Sequence, residues 1–336
     1  MANIFNKDER GAKRLLRRGS ASVGEILKLS FGEWPPRGLD INPFVRNTQK
    51  VMLKSYFRKA LARHPGGRQP HRGLWSRLKD IVQDVKRTWG LSNISGERVI
   101  WVNKILCSFI PRFFGKSLVM PTLGHEVIHA LQGDNSYRAR EVYGAQAANV
   151  RQEQSGTRSE VIMAGLRNYD ARFAKDAVAD AFNSTVKRGL MSYLKTGEET
   201  QAFFHEALAE GYRKWRRLPS GQVELWHALV SVGLTPPPVI DAYLRWNPST
   251  VFAAPAGDNM AAQNLVRINL SLSPQGRDLF WRVSLPALYA DLIEMYGDRY
   301  GRERFDLGHN TKGDIQEALF GTDRKRVALP LQRSPV

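Results

Sequence analysis

Pro121-Thr122-Leu123-Gly124-His125-Glu126-Val127-Ile128-His129-Ala130-Leu131-Gln132-Gly133 carries the pattern HExxH. Residues four apart on a helix share a face, one turn apart. Two neutral imidazoles at that spacing can converge on one zinc ion, and the Glu beside the first His can take a proton from a water held there. Setting Leu123 at zero and advancing ~100° per residue places Leu123, Val127, Ala130, Leu131 and Ile128 in one broad arc. His125 and His129 fall together on the other side. The spacing therefore predicts a helix whose apolar face enters the core while the histidines face a cleft. Thr122 is its expected N-cap and Gly133 its expected C′ residue.

The stretch from Thr122 to Gln132 resembles the active-site helix of zincin metallopeptidases, in the HEVxHxLQ form found in bacterial and phage-associated zincin-like proteins. The resemblance covers roughly residues 97–212. It implies His125 and His129 as zinc ligands and Glu126 as general base. It also implies a short sheet before the helix, in an α+β, mainly helical fold. The Gly and His that metzincins place soon after the second ligand are absent. Gluzincin-like proteins draw a third ligand from a later helix, and Ser192 to Phe203 resembles their Glu-x-x-Ala helix, which puts Glu199 in that role.

Glu199 has a second reading, because Thr196-x-x-Glu199 is also a capping-box pattern. Glu206 and Glu210 are rival ligands or partners, since 199, 203, 206 and 210 share one helical face. Glu141 and Glu160 lie nearer in sequence without any mark of a ligand. A hydrolytic site needs a hydrogen-bond donor for a developing oxyanion. His205, Tyr193 and Tyr212 have suitable chemistry. The resemblance thus implies a Zn2+-dependent metallopeptidase with a protein or peptide substrate. The alternative is a structural or DNA-associated component of a phage virion or mobile element that retains a zincin-like domain.

Charge divides the chain. The net charge is +18 over 336 residues, and residues 1–124 hold 24 Lys/Arg against 8 Asp/Glu. The remainder is nearly balanced. A basic block beside a near-neutral one suggests a region that faces a polyanion. Its clusters include Arg14, Arg17 and Arg18, then Arg58 and Lys59, then Arg77, Lys79, Lys86 and Arg87. Nucleic acid or an acidic protein partner is expected there, within an oligomer or larger assembly. At 42% hydrophobic residues the chain can bury a core, which argues against global disorder. The single Cys107 excludes a disulfide scaffold and a cysteine-cluster metal site. No transmembrane run or secretion signal is visible. The expected location is the bacterial cytoplasm, or the virion if the chain is phage-encoded.

Three stretches are expected: a basic helical docking region over 1–96, a zincin-like core over 97–216, and a helical region with an extended tail over 217–336. Residues 1–30 read as a basic, partly amphipathic arm, with Leu15, Leu16, Ile26 and Leu27 as a helical stripe interrupted at Gly19 and Gly24, and 49–62 as a helix. Residues 74–89 form another basic helix candidate, and 98–110 is the best strand region. Helices are expected over 158–195, 198–216, 222–233, 238–245 and 276–296.

Overall fold

A computed structural model describes residues 2–41, 49–63, 98–103, 119–135, 157–173, 188–246 and 259–298, with 79, 81–82, 90–92, 107 and 179–180. The first helix, α1 (Ala2–Arg18), turns at Gly19 into a short strand, β1 (Ser20–Ser22). The helix α2 (Val23–Phe31) follows at once, closed by a capping box between Ser22 and Glu25. After β2 (Lys50–Ser55) comes α3 (Tyr56–Arg63). Two further strands, β3 (Gly90–Ser92) and β4 (Val99–Val102), precede α4 (Val119–Asn135), which carries the HExxH pattern. The rest of the described chain is helical: α5 (Arg158–Asp170), α6 (Arg188–Leu194), α7 (Gly197–Trp215), α8 (Gln222–Ser231), α9 (Pro237–Trp246), α10 (Met260–Leu270), α11 (Pro274–Leu279) and α12 (Leu285–Met295).

The four strands form one sheet in the order β1-β2-β4-β3. The central pair β2 and β4 is parallel, with Leu53 opposite Ile100, and both outer pairs are antiparallel. The expectation of a mainly helical α+β fold with a short sheet ahead of the HExxH helix holds at this level. Several finer expectations change. Residues 50–55 are a strand, not the start of a helix: Val51 and Leu53 are buried while Met52 is exposed, the period-two pattern of a half-buried strand. The helix expected there begins only at Tyr56. The amphipathic stripe expected within residues 1–30 is present, but α1, β1 and α2 pack into the core rather than forming a separate arm. Ala12, Leu15, Leu16, Ile26 and Leu27 are buried in the same hydrophobic cluster as Leu123, Phe204 and Leu288. That cluster draws on all three expected stretches, and the sheet crosses the 96/97 division. The helix α4 starts before Thr122 and ends after Gly133, so neither residue caps it. Met260–Leu270 is a helix with no counterpart in the sequence reading. Most of the candidate helix at 74–89 and the extended tail expected at 330–336 lie outside the described residues.

Two glycines set where the site-bearing helices sit. A Cβ on Gly124 would lie 2.7 Å from Ser30 Oγ, so α2 crosses α4 closely enough that a side chain there would displace the Ser30 hydroxyl. A Cβ on Gly197 would overlap the Ser159 carbonyl at 2.0 Å, which presses the start of α7 onto the start of α5. The Gly197 N–H donates to Glu160 Oε2 at 2.6 Å in the same place. Helix α7 is buried along most of its length and packs against α4, α5, α8, α10 and α2. Between α11 and α12 the chain makes a π-helical turn, Phe280–Ser284. Pro286 has no N–H for the Arg282 carbonyl. Gln222 Nε2 takes that carbonyl at 2.8 Å, and Trp226 Nε1 takes the Trp281 carbonyl at 3.2 Å.

Candidate metal centre

The i, i+4 spacing on α4 brings His125 and His129 side by side, with ring centroids 4.9 Å apart. Helix α7 packs across this face and presents Glu199 to both. His125 Nε2 lies 3.0 Å from Glu199 Oε2, and His129 Nε2 lies 3.4 Å from Glu199 Oε1. One ligand atom from each of His125, His129 and Glu199 falls within 4.8 Å of the others. Among the described residues this is the cluster of His, Cys, Asp or Glu able to hold a metal ion. The capping-box reading of Glu199 fails. Thr196 makes no side-chain cap bond, and its hydroxyl donates to the Tyr193 carbonyl instead.

The other ring nitrogens are occupied. His125 Nδ1 donates to Glu206 Oε1 at 2.7 Å, and His129 Nδ1 donates to Gln132 Oε1 at 2.8 Å. Each Nε2 is thereby turned toward the shared carboxylate, in the way that outer acceptors orient metal-binding histidines. Glu206, a rival ligand in the sequence, is an acceptor for His125. Gln132 was missed, although it lies three residues after His129 and so on the same helical face. Glu210 is elsewhere, accepting from Asn259 Nδ2 at 2.6 Å.

The electrostatics follow from these contacts. Burial opposes the charge on Glu199, but hydrogen bonds from His125 and His129 overcome it and hold its pKa below the usual carboxylate range. Burial also disfavours the His125 imidazolium, yet Glu199 and Glu206 raise its pKa well above the ordinary value. His129 is raised in the same way, mainly through Glu199, against both burial and the neighbouring His125. A carboxylate that binds a divalent ion must be ionised and an imidazole must give up a proton, so any ion held here would compete with protons.

Glu126 is buried, 6% exposed, and close enough for its charge to raise the pKa of His129 and of Tyr193. Tyr193 is 47% exposed as a residue, but its hydroxyl end is crowded against the site; that desolvation and the Glu199 carboxylate it hydrogen-bonds raise its pKa, so the hydroxyl keeps its proton. The other two candidate donors are engaged elsewhere. The Tyr212 hydroxyl donates to Glu33 and accepts from the Arg37 N–H at 2.9 Å. His205 is fully buried, with Nδ1 2.6 Å from the Tyr296 hydroxyl. With α7 packed over α4, His125 is 8% and His129 6% exposed.

Six of the nine candidate polyanion residues are described. Arg14 and Arg17 are exposed on α1, and Arg18 forms a two-pronged ion pair with Glu25. Arg58 is exposed, Lys59 sits over the Trp101 ring at 5.3 Å, and Lys79 is exposed. Arg77, Lys86 and Arg87 lie outside the described residues. No helix among the described residues is long and apolar enough to cross a membrane. No family model matches the chain, and no curated protein or solved structure matches it.

Proposed function

We propose that the protein is a zinc-dependent hydrolase of peptide bonds with a zincin-like core. The observation that carries this reading is the convergence of His125, His129 and Glu199 beside the buried Glu126. Two imidazole nitrogens and one carboxylate oxygen are a donor set that suits zinc and leaves one position for a fourth ligand. Both imidazoles have their second nitrogen bonded to an acceptor, which fits neutral ligands offering Nε2. Bound zinc supplies Lewis acidity at the open position.

The chain's own residues do the rest. Glu126 accepts the proton of the attacking water at its carboxylate and returns it to the leaving amine. Tyr193, whose phenol stays protonated, donates a hydrogen bond to the oxyanion once it turns from Glu199. Glu206 and Gln132 keep the two rings in register.

The decisive experiment pairs metal content with activity. Wild type is expected to hold stoichiometric zinc and to cleave a broad panel of unfolded protein substrates. Glu126→Gln is expected to keep the zinc and to lose about 10²- to 10⁴-fold in rate, the usual share of general acid–base catalysis. A zinc-free wild type under metal-replete conditions, or full activity in Glu126→Gln, overturns the reading. The alternative of a structural or DNA-associated component draws on a different observation. Arg10, Arg14 and Arg17 are all exposed at helical spacing on α1, a face suited to phosphates.

A further inference from the structure

The geometry assigns Gln132, Gln201 and Asp291 as positioning residues that set the tautomer of His129 through a one-way chain of hydrogen bonds. The inference rests on reading His129 as a metal ligand. The chain starts at α12, where Asp291 Oδ2 accepts from Gln201 Nε2 at 2.7 Å. A carboxylate accepts and an amide nitrogen only donates, so this contact fixes which end of the Gln201 amide faces which way. Gln201 Oε1 is then left to accept from Gln132 Nε2 at 2.8 Å. A second contact orients Gln132 independently: its Nε2 also donates to the Glu198 backbone carbonyl at 3.0 Å, and a carbonyl cannot donate in return. Both contacts leave Gln132 Oε1 facing His129, where it can only accept. His129 Nδ1 must therefore carry a proton whatever the charge of the ring, and the proton lost on titration is the one Nε2 shares with Glu199, which leaves the Nε2 lone pair on the ligand side.

Burial makes this arrangement firm. Gln132 is 1% exposed, Gln201 0% and Asp291 3%, so no described member has water to fall back on. A flipped amide would set two acceptors or two donors face to face in a buried site, which is costly. Arg158 on α5, itself 5% exposed, anchors the far end, 3.6 Å from Asp291 Oδ1 and ion-paired with Glu294. The tautomer of a ligand on α4 is thereby set through α7 from a carboxylate on α12. Glu206 does the same for His125 directly.

The test uses the full chain with 15N-labelled histidine, stripped of metal, at a pH above the point where the His129 ring titrates. Long-range 1H–15N spectra of wild type are expected to show Nδ1 protonated and Nε2 bare. Gln132→Met is expected to mix the tautomers and to weaken zinc binding about 10- to 100-fold in competition with a chelator. Asp291→Asn, nearly isosteric, is expected to mix the tautomers partly and weaken zinc by about 10-fold, the low end of that range. Circular dichroism checks that each variant is folded, and Gln132→Met decides alone if Asp291→Asn is not. A wild type protonated at Nε2, or folded variants with the wild-type tautomer and affinity, overturns the inference. Failure of the metal reading looks different: wild type takes up no zinc, while its His129 spectrum still shows whether the chain sets the tautomer.

Discussion

The dipeptide His-Glu occurs on both helices that build the site, and the two copies have opposite fates. On α4, His125 faces carboxylates on each side, Glu199 and Glu206, and its pKa rises well above the ordinary value. On α7, Glu206 is the residue that reaches the site. His205 points the other way, into Phe31 and Tyr296, and burial together with the nearby His125 lowers its pKa to about 3. Both histidines are buried, so burial alone does not decide the charge state. The difference lies in whether anionic partners share the space to repay desolvation. The sequence near-match at His205-Glu206 is therefore half of the site, contributed by its Glu.

The sharpest way to break this comparison is to remove each histidine in turn. His125→Ala is expected to abolish stoichiometric zinc uptake, because it takes away a ligand and leaves Glu199 and Glu206 facing each other without the intervening ring. His205→Phe is expected to leave zinc content unchanged, since His205 bonds Tyr296 rather than any ligand. Metal analysis of both proteins after dialysis against limiting zinc measures the contrast. Equal zinc loss in the two variants would show that the two copies are not functionally distinct.

How much of this was legible depended on the length over which each signal acts. The α4 pattern is local, and five apolar positions with two histidines at fixed spacing define its faces. Glu199 was readable only through a resemblance, because Thr196 and Glu199 fit a cap equally well until α4 packs against them. Gln132 sat within the quoted motif, but its role needs Gln201, 69 residues away, to orient it. The strands were harder. β1 and β3 are three residues each, too short to show a period. β2 was misread because Val51 and Leu53 run straight into Tyr56, Phe57 and Leu61, which continue a helical spacing. Only pairing with β4, a parallel partner more than forty residues on, makes that segment a strand.

The same comparison predicts an acid limb of stability in the metal-free protein. The folded pKa of His205 lies below its ordinary value of 6.5, at about 3. The unfolded chain therefore binds a proton there that the folded chain refuses. Stability is fully present above pH 6.5 and is lost as pH falls toward 3. Glu199 is also depressed, but its contribution is lost only below the ordinary carboxylate value of 4.5. His125 and His129 are raised, so their contribution is complete below 6.5 and declines only as pH rises. Among the described groups the window from about pH 5.5 to 4.5 is therefore governed by His205, opposed only by Asp278, whose burial raises its pKa and whose contribution runs in the opposite sense. Urea unfolding with chelator present should lose up to about 1.4 kcal/mol per pH unit there. His205→Phe should flatten that slope, whatever it does to stability at pH 7.

The smallest effect is expected where the chain is most basic. Deleting residues 1–90 would remove α1, α2, β1, β2, α3 and the first residue of β3, and with them part of the common core. The basic surface is therefore tested by substitution on the exposed side of α1. Arg14 is exposed on α1. Arg14→Gln should change stability by less than about 0.5 kcal/mol, as surface changes do. Zinc content should not move, which separates this face from both His-Glu copies. If the arginines at 10, 14 and 17 meet phosphates, retention on DNA weakens uniformly across sequences, and the slope of log affinity against log salt falls by about one. An unchanged slope in Arg14→Gln and in the Arg10→Gln/Arg14→Gln/Arg17→Gln variant would leave the exposed charge of α1 as a solvated surface and remove the observation on which the DNA-associated reading stands.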